Sequence, residues 1–364
     1  MRLRYKILWL SLLGAISLSI ADTLTIAAVG DIMMGSTYPA FRLPPDSGRG
    51  LFKEAEEILK KADIAFGNLE GPLCDNGSCR KNIGRRLNYA FRTPTYFGIN
   101  LKNAGFDILN LANNHSLDFG LYGLESTRRT LESLGIKYTD CEGRVGIFDI
   151  KTPDTTYLNC TSVDDEMVIF KRKSIKIAFI GFYSGRCSNS LLNIREAREK
   201  IDSLSKRYEI VVVSFHGGKE GEDALHIRDG PEYFYGEPRG ELIRFAHTVI
   251  DAGADLVIGH GPHVPRALEI YKGRLIAYSL GNFCTYKGIS VKGICGYAPL
   301  LWVNLNEKGE FISGRIYSFK QGFGTGPKRD REEKAFKLMR RLSLEDFPHS
   351  SLEFGRGGGL FPKG

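Results

Sequence analysis

Residues 109–120, LNLANNHSLDFG, constrain what this chain can fold into more than any other stretch. An apolar run at 108–112 breaks into Asn113, Asn114 and His115, with Asp118 three residues further on. A buried strand carried on through Asn-Asn-His would strand polar side chains in the interior, so the run has to stop at a sheet edge. In open α/β folds ligands bind outside the carboxyl ends of the strands. Asn-Asn-His at such an end is a set of polar groups delivered to a site. A site of this kind needs other strands that end the same way.

Four other runs do. The β-type run 23–29 ends in Gly30-Asp31, and 64–66 ends just before Asn68 and Glu70. The run 209–215, EIVVVSF, ends in His216, and 256–258 ends in GHGPH, which holds His260 and His263. Apolar residues at helical spacing over 51–62, 94–104, 123–134, 194–206 and 241–252 predict helices between these strands. Strands alternating with helices predict an α/β fold containing parallel sheet. Segment 136–170 reads as irregular, 175–182 (IKIAFIGF) reads as a strand, and 268–271, 274–279, 299–305 and 311–319 read as sheet, with turns at Lys272-Gly273 and Lys308-Gly309. The last forty residues, with a charged helix-like piece at 331–342 and a Gly-rich end, read as a tail. No internal repeat or interior linker is visible, so 22–324 is expected to be one domain and 325–364 a basic tail.

A lone histidine after a strand is more often a hydrogen-bonded structural residue than a ligand. Five strand ends that all carry Asp, Asn, Glu or His are hard to attribute to packing. Carboxylates, amides and imidazoles mixed in this way suit Mn, Zn or Fe, whereas Ca and Mg prefer oxygen alone. One or two divalent ions are therefore expected at these five ends: Asp31, Asn68/Glu70, Asn114/His115, His216 and His260/His263. Two such ions would activate a water and clamp a phosphoryl group. The loop 217–240 is expected to border the pocket, with Lys219, His226, Arg228 and Arg239 facing an anionic substrate, or else to be a solvated loop. Arg266 is the stronger anion candidate. Asn68 and Asn282 are further substrate-binding candidates, or else shape the turn and the loop beneath the site.

Charge and the chain ends bear on partners. The net charge is +8, but Arg2, Arg4 and Lys6 supply three positives and the last forty residues a net three more, leaving about +2 between them. No basic face remains, and a nucleic-acid partner is not expected. Those three cations precede an apolar run at 7–20 that closes on Ser19-Ile20-Ala21. This is the pattern of a secretory signal peptide, or of an N-terminal anchor left uncleaved. The working domain is expected outside the cytoplasm. Of the seven cysteines, Cys74 and Cys79 flank a Gly-containing turn and could close a small disulfide loop. Their spacing lacks the paired CxxC of a zinc site.

Six motifs carry a resemblance: VGDIMMG at 29–35, GNLEGPL at 67–73, LANNHSLDFG at 111–120, SFHGGKE at 214–220, VIGHGPHVPRALEIYKG at 257–273 and AYSLGNF at 277–283. In this order they resemble the CapA family, named for a capsule (poly-γ-glutamate) synthesis protein, within the calcineurin-like metallophosphoesterase superfamily. The resemblance implies a single-domain, four-layer α/β/β/α sandwich. Carried over by position, Asp31 resembles the first metal carboxylate, Glu70 the bridging one, Asn114 the amide ligand, and His216 and His263 the imidazole ligands. His115 resembles the imidazole that protonates the leaving oxygen. Asp118 is placed to set its tautomer, or to cap a turn. The superfamily usually has Asp-x-His where this chain has Asp31-Ile32-Met33, an Asp where it has Asn68 and Glu70, and His-x-His where His260 and His263 stand three apart. Two readings follow. The first is an exported metal-dependent hydrolase of capsular or envelope polymer metabolism, acting on a phosphoester or a γ-glutamyl polymer. The second is a non-catalytic subunit that binds anionic polymer or membrane-bound synthase components. A secreted nucleotide phosphoesterase follows from the superfamily alone.

Overall fold

The computed structural model describes residues 23–83, 89–156 and 169–364. The predicted signal segment lies outside them. Among the described residues no helix is long and apolar enough to cross a membrane.

The N-terminal part alternates as expected through β1 (Leu24–Met33), α1 (Glu56–Leu59), β2 (Ile64–Leu69), α2 (Gly98–Ala104), β3 (Ile108–Asn110) and α3 (Gly120–Ser133), and adds a short β4 (Lys137–Thr139) inside the segment read as irregular. The second part begins with β5 (Val145–Thr156), which forms where the sequence reads as irregular, and its long antiparallel partner β6 (Ile169–Tyr183), which contains the strand expected at 175–182. It continues through α4 (Ile194–Ser205), β7 (Ile210–His216), the small hairpin β8 (Glu232–Phe234) and β9 (Glu237–Gly240), α5 (Leu242–Asp251) and β10 (Leu256–His260). Then follow β11 (Leu268–Tyr271), β12 (Arg274–Ala277), β13 (Asn282–Thr285), β14 (Tyr297–Leu305), β15 (Phe311–Lys320) and β16 (Lys328–Arg329). The chain closes with α6 (Lys334–Asp346), β17 (Leu352–Phe354) and β18 (Gly359–Pro362). Lys272 and Gly273 both have positive φ, the turn that matches the twist of the β11–β12 hairpin.

Two sheets result. The ten-stranded one runs β17-β18-β15-β14-β1-β2-β3-β4, with β13 on β1 and β16 on β15; the six-stranded one runs β11-β12-β10-β7-β6-β5. Their facing sides meet in one apolar cluster, in which Ile26, Ala28, Phe66 and Ile108 oppose Ile177, Phe179, Val212 and Ile258. The outer face of the larger sheet is covered by Leu59, Leu101, Leu124 and Leu131 from α1–α3. Ala197, Ile201, Phe245 and Val249 from α4 and α5 cover the smaller. This is the α/β/β/α sandwich. Alternate residues of a strand face opposite sides, and β1 and β7 bury both, which explains their unbroken apolar runs.

The expected tail at 325–364 is a correction. Helix α6 buries Phe336 and Met339 between the sheets and Leu338 and Leu342 against the outer cluster. It also ties the sheets together, for Ser343 Oγ accepts from Leu268 N at 2.7 Å and Ser318 Oγ accepts from Phe336 N at 3.0 Å. Strand β18 then pairs with β15 and extends the larger sheet. Within α6, Lys337, Arg340 and Arg341 lie on the exposed side of a helix whose apolar side is core, and net composition hides that division.

Candidate metal centre

Backbone register places the polar strand ends side by side. In the larger sheet Asn282, Asp31, Asn68 and Asn110 form one row of paired residues across β13, β1, β2 and β3. In the smaller sheet Tyr183, His216 and His260 form the matching row across β6, β7 and β10. Glycines allow close approach within each row: a Cβ on Gly30 would lie 2.0 Å from the Gly281 carbonyl oxygen, and one on Gly259 2.3 Å from that of Tyr278. Only glycine fits beside Asp31 and His260 at these separations.

Asp31, Glu70 and His216 each offer a ligand atom within 4.8 Å of the other two, and all three are fully buried. Asn68 Nδ2 donates to Asp31 Oδ1 at 2.8 Å and to Glu70 Oε2 at 2.6 Å, holding the two carboxylates in register. Its own Oδ1 accepts from Asn110 Nδ2 at 2.9 Å and Asn113 Nδ2 at 3.2 Å. His216 Nε2 stands 3.2 Å from Glu70 Oε2. His263 Nδ1 lies 2.9 Å from Asp31 Oδ2, and His260 Nδ1 3.5 Å from Asp31 Oδ1. The three-residue spacing of the last two therefore still brings both rings to Asp31. It does so through a left-handed backbone at His263, φ 58°, the kind of costly conformation found at functional sites.

Burial opposes ionisation of Asp31 and Glu70, but histidine contacts outweigh it. His260 and His263 hold Asp31 well below the usual carboxylate range, and His216 holds Glu70 at about 2 despite the neighbouring Asp31 charge. For His263, burial disfavours the cation, while the Asp31 hydrogen bond and the charges of Asp31, Glu220 and Glu70 push it up to about 10. Two buried carboxylates thus draw positive charge to themselves. Glu70 Oε1, Asn114 Oδ1, His216 Nδ1 and both ring nitrogens of His260 are buried without a hydrogen-bond partner. Buried polar atoms are rarely left unpaired. Unpaired oxygen and nitrogen lone pairs on a carboxylate, an amide and imidazoles fit a divalent cation.

The opening motif supplies a second group. Asn113 Oδ1 accepts from the His115 amide at 3.1 Å and fixes the turn. His115 Nδ1 lies 2.9 Å from Asp118 Oδ2, and its Nε2 faces Glu70 Oε1 at 3.8 Å. The Asp118 carboxylate also accepts from the Phe91 amide at 2.8 Å and pairs with Lys81 Nζ at 2.7 Å. Lys81 Nζ is 3.1 Å from His115 Nδ1, and the Phe91 ring lies over the imidazole with centroids 4.5 Å apart. Lys81 and Phe91 come from the long excursion after β2. No periodicity or motif marked them, and only the tertiary structure brings them in. Asn110 and Asn113 were visible within the motif but went unassigned.

Two expected anion contacts, Arg266 and Arg239, are corrected, while Asn282 and Asn68 take the structural one of their two readings. Arg266 is wholly buried; its two terminal nitrogens each pair with Glu232 at 2.9 Å, and its remaining donors go to the carbonyls of Ala224 and Lys219. Arg239 is buried against Glu220 at 2.8 Å and Gly218 O at 3.0 Å. Neither guanidinium has charge to spare, because burying one requires a partner. Asn282 Nδ2 is taken up by the carbonyls of His263, Ser290 and Cys295, so it holds the loop. Asn68 is satisfied between the carboxylates. Met33 does not face an ion either: its sulfur accepts from the Gly35 amide at 3.3 Å. Glu220, unassigned in the sequence, stands 3.9 Å from His263 Nε2.

The match to known families now has a structural setting. Residues 25–287 match the family model described as bacterial capsule synthesis protein PGA_cap. The chain belongs to this capsule synthesis family. Among its relatives is the PGA biosynthesis protein CapA of Bacillus subtilis, 28% identical over 275 residues, which cover 73% of this chain and 64% of that protein. A probable polyglutamine synthesis accessory protein of Mycobacterium tuberculosis is 25% identical over 268 residues, 68% of this chain and 63% of its own length. Among solved structures, the NAD nucleotidase NadN of Haemophilus influenzae has a TM-score of 0.40 and 12% identity, covering 88% of this chain and 56% of that one. The family match spans β1 to β13 and so contains every residue of the candidate centre.

Proposed function

We propose that this member of the capsule synthesis family is an exported, metal-dependent hydrolase that acts on a phosphoester or γ-glutamyl polymer during envelope or capsule synthesis. The observation that supports it most is the His115–Asp118 pair. A site built only to bind an ion or a polymer has no need of an imidazole whose Nδ1 is held by a carboxylate and whose Nε2 points at the ligand cluster. A general acid needs that arrangement, because the oriented ring presents one nitrogen to the leaving oxygen.

Asp31, Glu70, Asn114, His216, His260 and His263 would hold one or two divalent ions, with Mn, Zn or Fe favoured by the nitrogen and oxygen donor set. Such ions, when bound, polarise the scissile group and lower the pKa of a water. The chain's own part is to fix the carboxylates through Asn68, to exclude water by burying both rows, and to carry a proton at His115 Nε2. Lys81 offsets the Asp118 charge, so the aspartate orients the ring beside a compensating cation.

The second reading, a non-catalytic subunit that binds polymer or membrane-bound synthase components, draws support from the arginines. With Arg239 and Arg266 both consumed internally, two of the cations expected to grip an anionic substrate are not free to do so. One set of measurements separates the readings. The purified chain is assayed for bound metal and for turnover of phosphomonoesters and phosphodiesters with added Mn. Turnover lost in both Asp31→Ala and His115→Ala supports the hydrolase. Stoichiometric metal with no turnover of any ester removes the phosphoesterase and leaves the binding subunit.

A further inference from the structure

Among the described cysteines, Cys141 and Cys187 have each other as leading neighbour: their thiols interact side chain to side chain. Cys141 follows β4, at the edge of the larger sheet, and Cys187 lies in the loop after β6 of the smaller sheet. The junction is rigid without them. The Asn189 amide donates to Cys141 O at 2.9 Å, and the fully buried Asn189 side chain donates to Asp140 O at 3.4 Å and to Gly181 O at 3.0 Å. Lys200 Nζ in turn donates to Asn189 Oδ1 at 2.8 Å. The other described thiols lack such a relation. Cys74, the expected partner of Cys79, is buried, whereas Cys79 Sγ contacts Lys81 O at 3.4 Å and the Tyr38 hydroxyl.

We propose that Cys141 and Cys187 form a disulfide that staples the two sheets together beside the candidate metal centre. The loop it would tie down backs that centre directly: Ser184 N donates to His216 O at 3.1 Å, and the Tyr183 ring packs edge-on against the His216 ring. The two thiols differ in exposure, which decides which of them meets an external disulfide first. Cys187 is half-buried, and its thiol is held below its ordinary value by Cys141, by the Asn189 amide and by Lys200. Cys141 is buried, and its thiol is pushed up by Cys187 and by desolvation. The oxidant is an external disulfide, such as oxidised glutathione. The Cys187 thiolate attacks one sulfur of that disulfide, forming a mixed disulfide and releasing one thiolate. Cys141 then loses its proton and attacks the Cys187 sulfur, which expels the second thiolate. Two electrons pass to the external disulfide and two protons leave the protein thiols. The bond would close a loop containing the β5–β6 pair, restraining the unfolded chain.

The test uses the full chain equilibrated with oxidised glutathione, denatured in iodoacetamide and digested without reductant for mass spectrometry. The expected result is one disulfide-linked species joining the peptides of Cys141 and Cys187, with Cys74, Cys79, Cys284 and Cys295 alkylated. Reduction should lower the melting temperature by about 5 °C, and the same reductant should leave Cys187→Ala unmoved. Alkylation of both Cys141 and Cys187 in the oxidised chain overturns the proposal, as does linkage of either to another thiol, Cys160 included. Neither readout depends on hydrolase activity.

Discussion

At the residue scale, Asn68 is where this site is most exposed to a single substitution. It donates to both buried carboxylates at once, so Asn68→Asp would set a third anion against Asp31 and Glu70. An unpaired buried charge costs about 3–5 kcal/mol. The metal-free variant should therefore melt well below the parent, with added Mn recovering more stability than it gives the parent; equal metal responses would argue against a cation centre here. His263 gives the pH dependence. Its folded value, about 10, lies above its ordinary 6.5, so its stabilising contribution is complete below about 6.5 and is lost as pH rises through about 10. A metal ion needs the neutral ring and must displace that proton. At pH 8, metal uptake by the parent should release about one proton more than uptake by His263→Asn, as read by calorimetry in buffers of different ionisation enthalpy. Asp31, Glu70, His115 and the three histidines could be read from their motifs. The neutralised Arg239 and Arg266 could not, because a charged side chain gives no sign in the sequence of whether its partner is substrate or another residue of the same chain.

At the element scale, the strand ends were legible because an unbroken apolar run has to stop where its polar residues begin. Helix α6 was misread for the converse reason: it has many charges, and its apolar face matters only once two sheet edges lie beside it. The consequence can be measured. Met339 is fully buried and Leu344, on the same helix, is 48% exposed. Met339→Ala should destabilise the protein by about 2–5 kcal/mol, whereas Leu344→Ala should stay within about 0.5 kcal/mol, both by denaturant titration. A tail would make both changes silent. Strand β5 escapes sequence reading for a related reason: it is the edge of the smaller sheet, held by its long antiparallel pairing with β6 rather than by a strong local pattern.

At the scale of the whole molecule, the centre is assembled from both sheets, so binding there should act on global stability. An ion at a hundredfold excess over its Kd adds about 2.7 kcal/mol to a fold that alone can bind it. A chelator should therefore lower the melting temperature of metal-loaded protein and leave Asp31→Ala unchanged. If the chelator affects both equally, the ion sits elsewhere.

What the chain's sequence determined by itself was the class of fold and the chemical type of the site. Apolar periodicity and polar strand ends are local properties, and six ordered motifs carried the family. What only the tertiary structure decided was which polar groups still have lone pairs or charge available. Glu70, Asn114, His216 and His260 keep unpaired atoms at the meeting of two sheets, while Arg239, Arg266 and Asn282 spend theirs on the scaffold. Lys81 and Phe91 join His115 from a distant excursion, and Cys141 meets Cys187 across the sheet seam. Availability depends on partners far away in sequence, and folding alone chooses them.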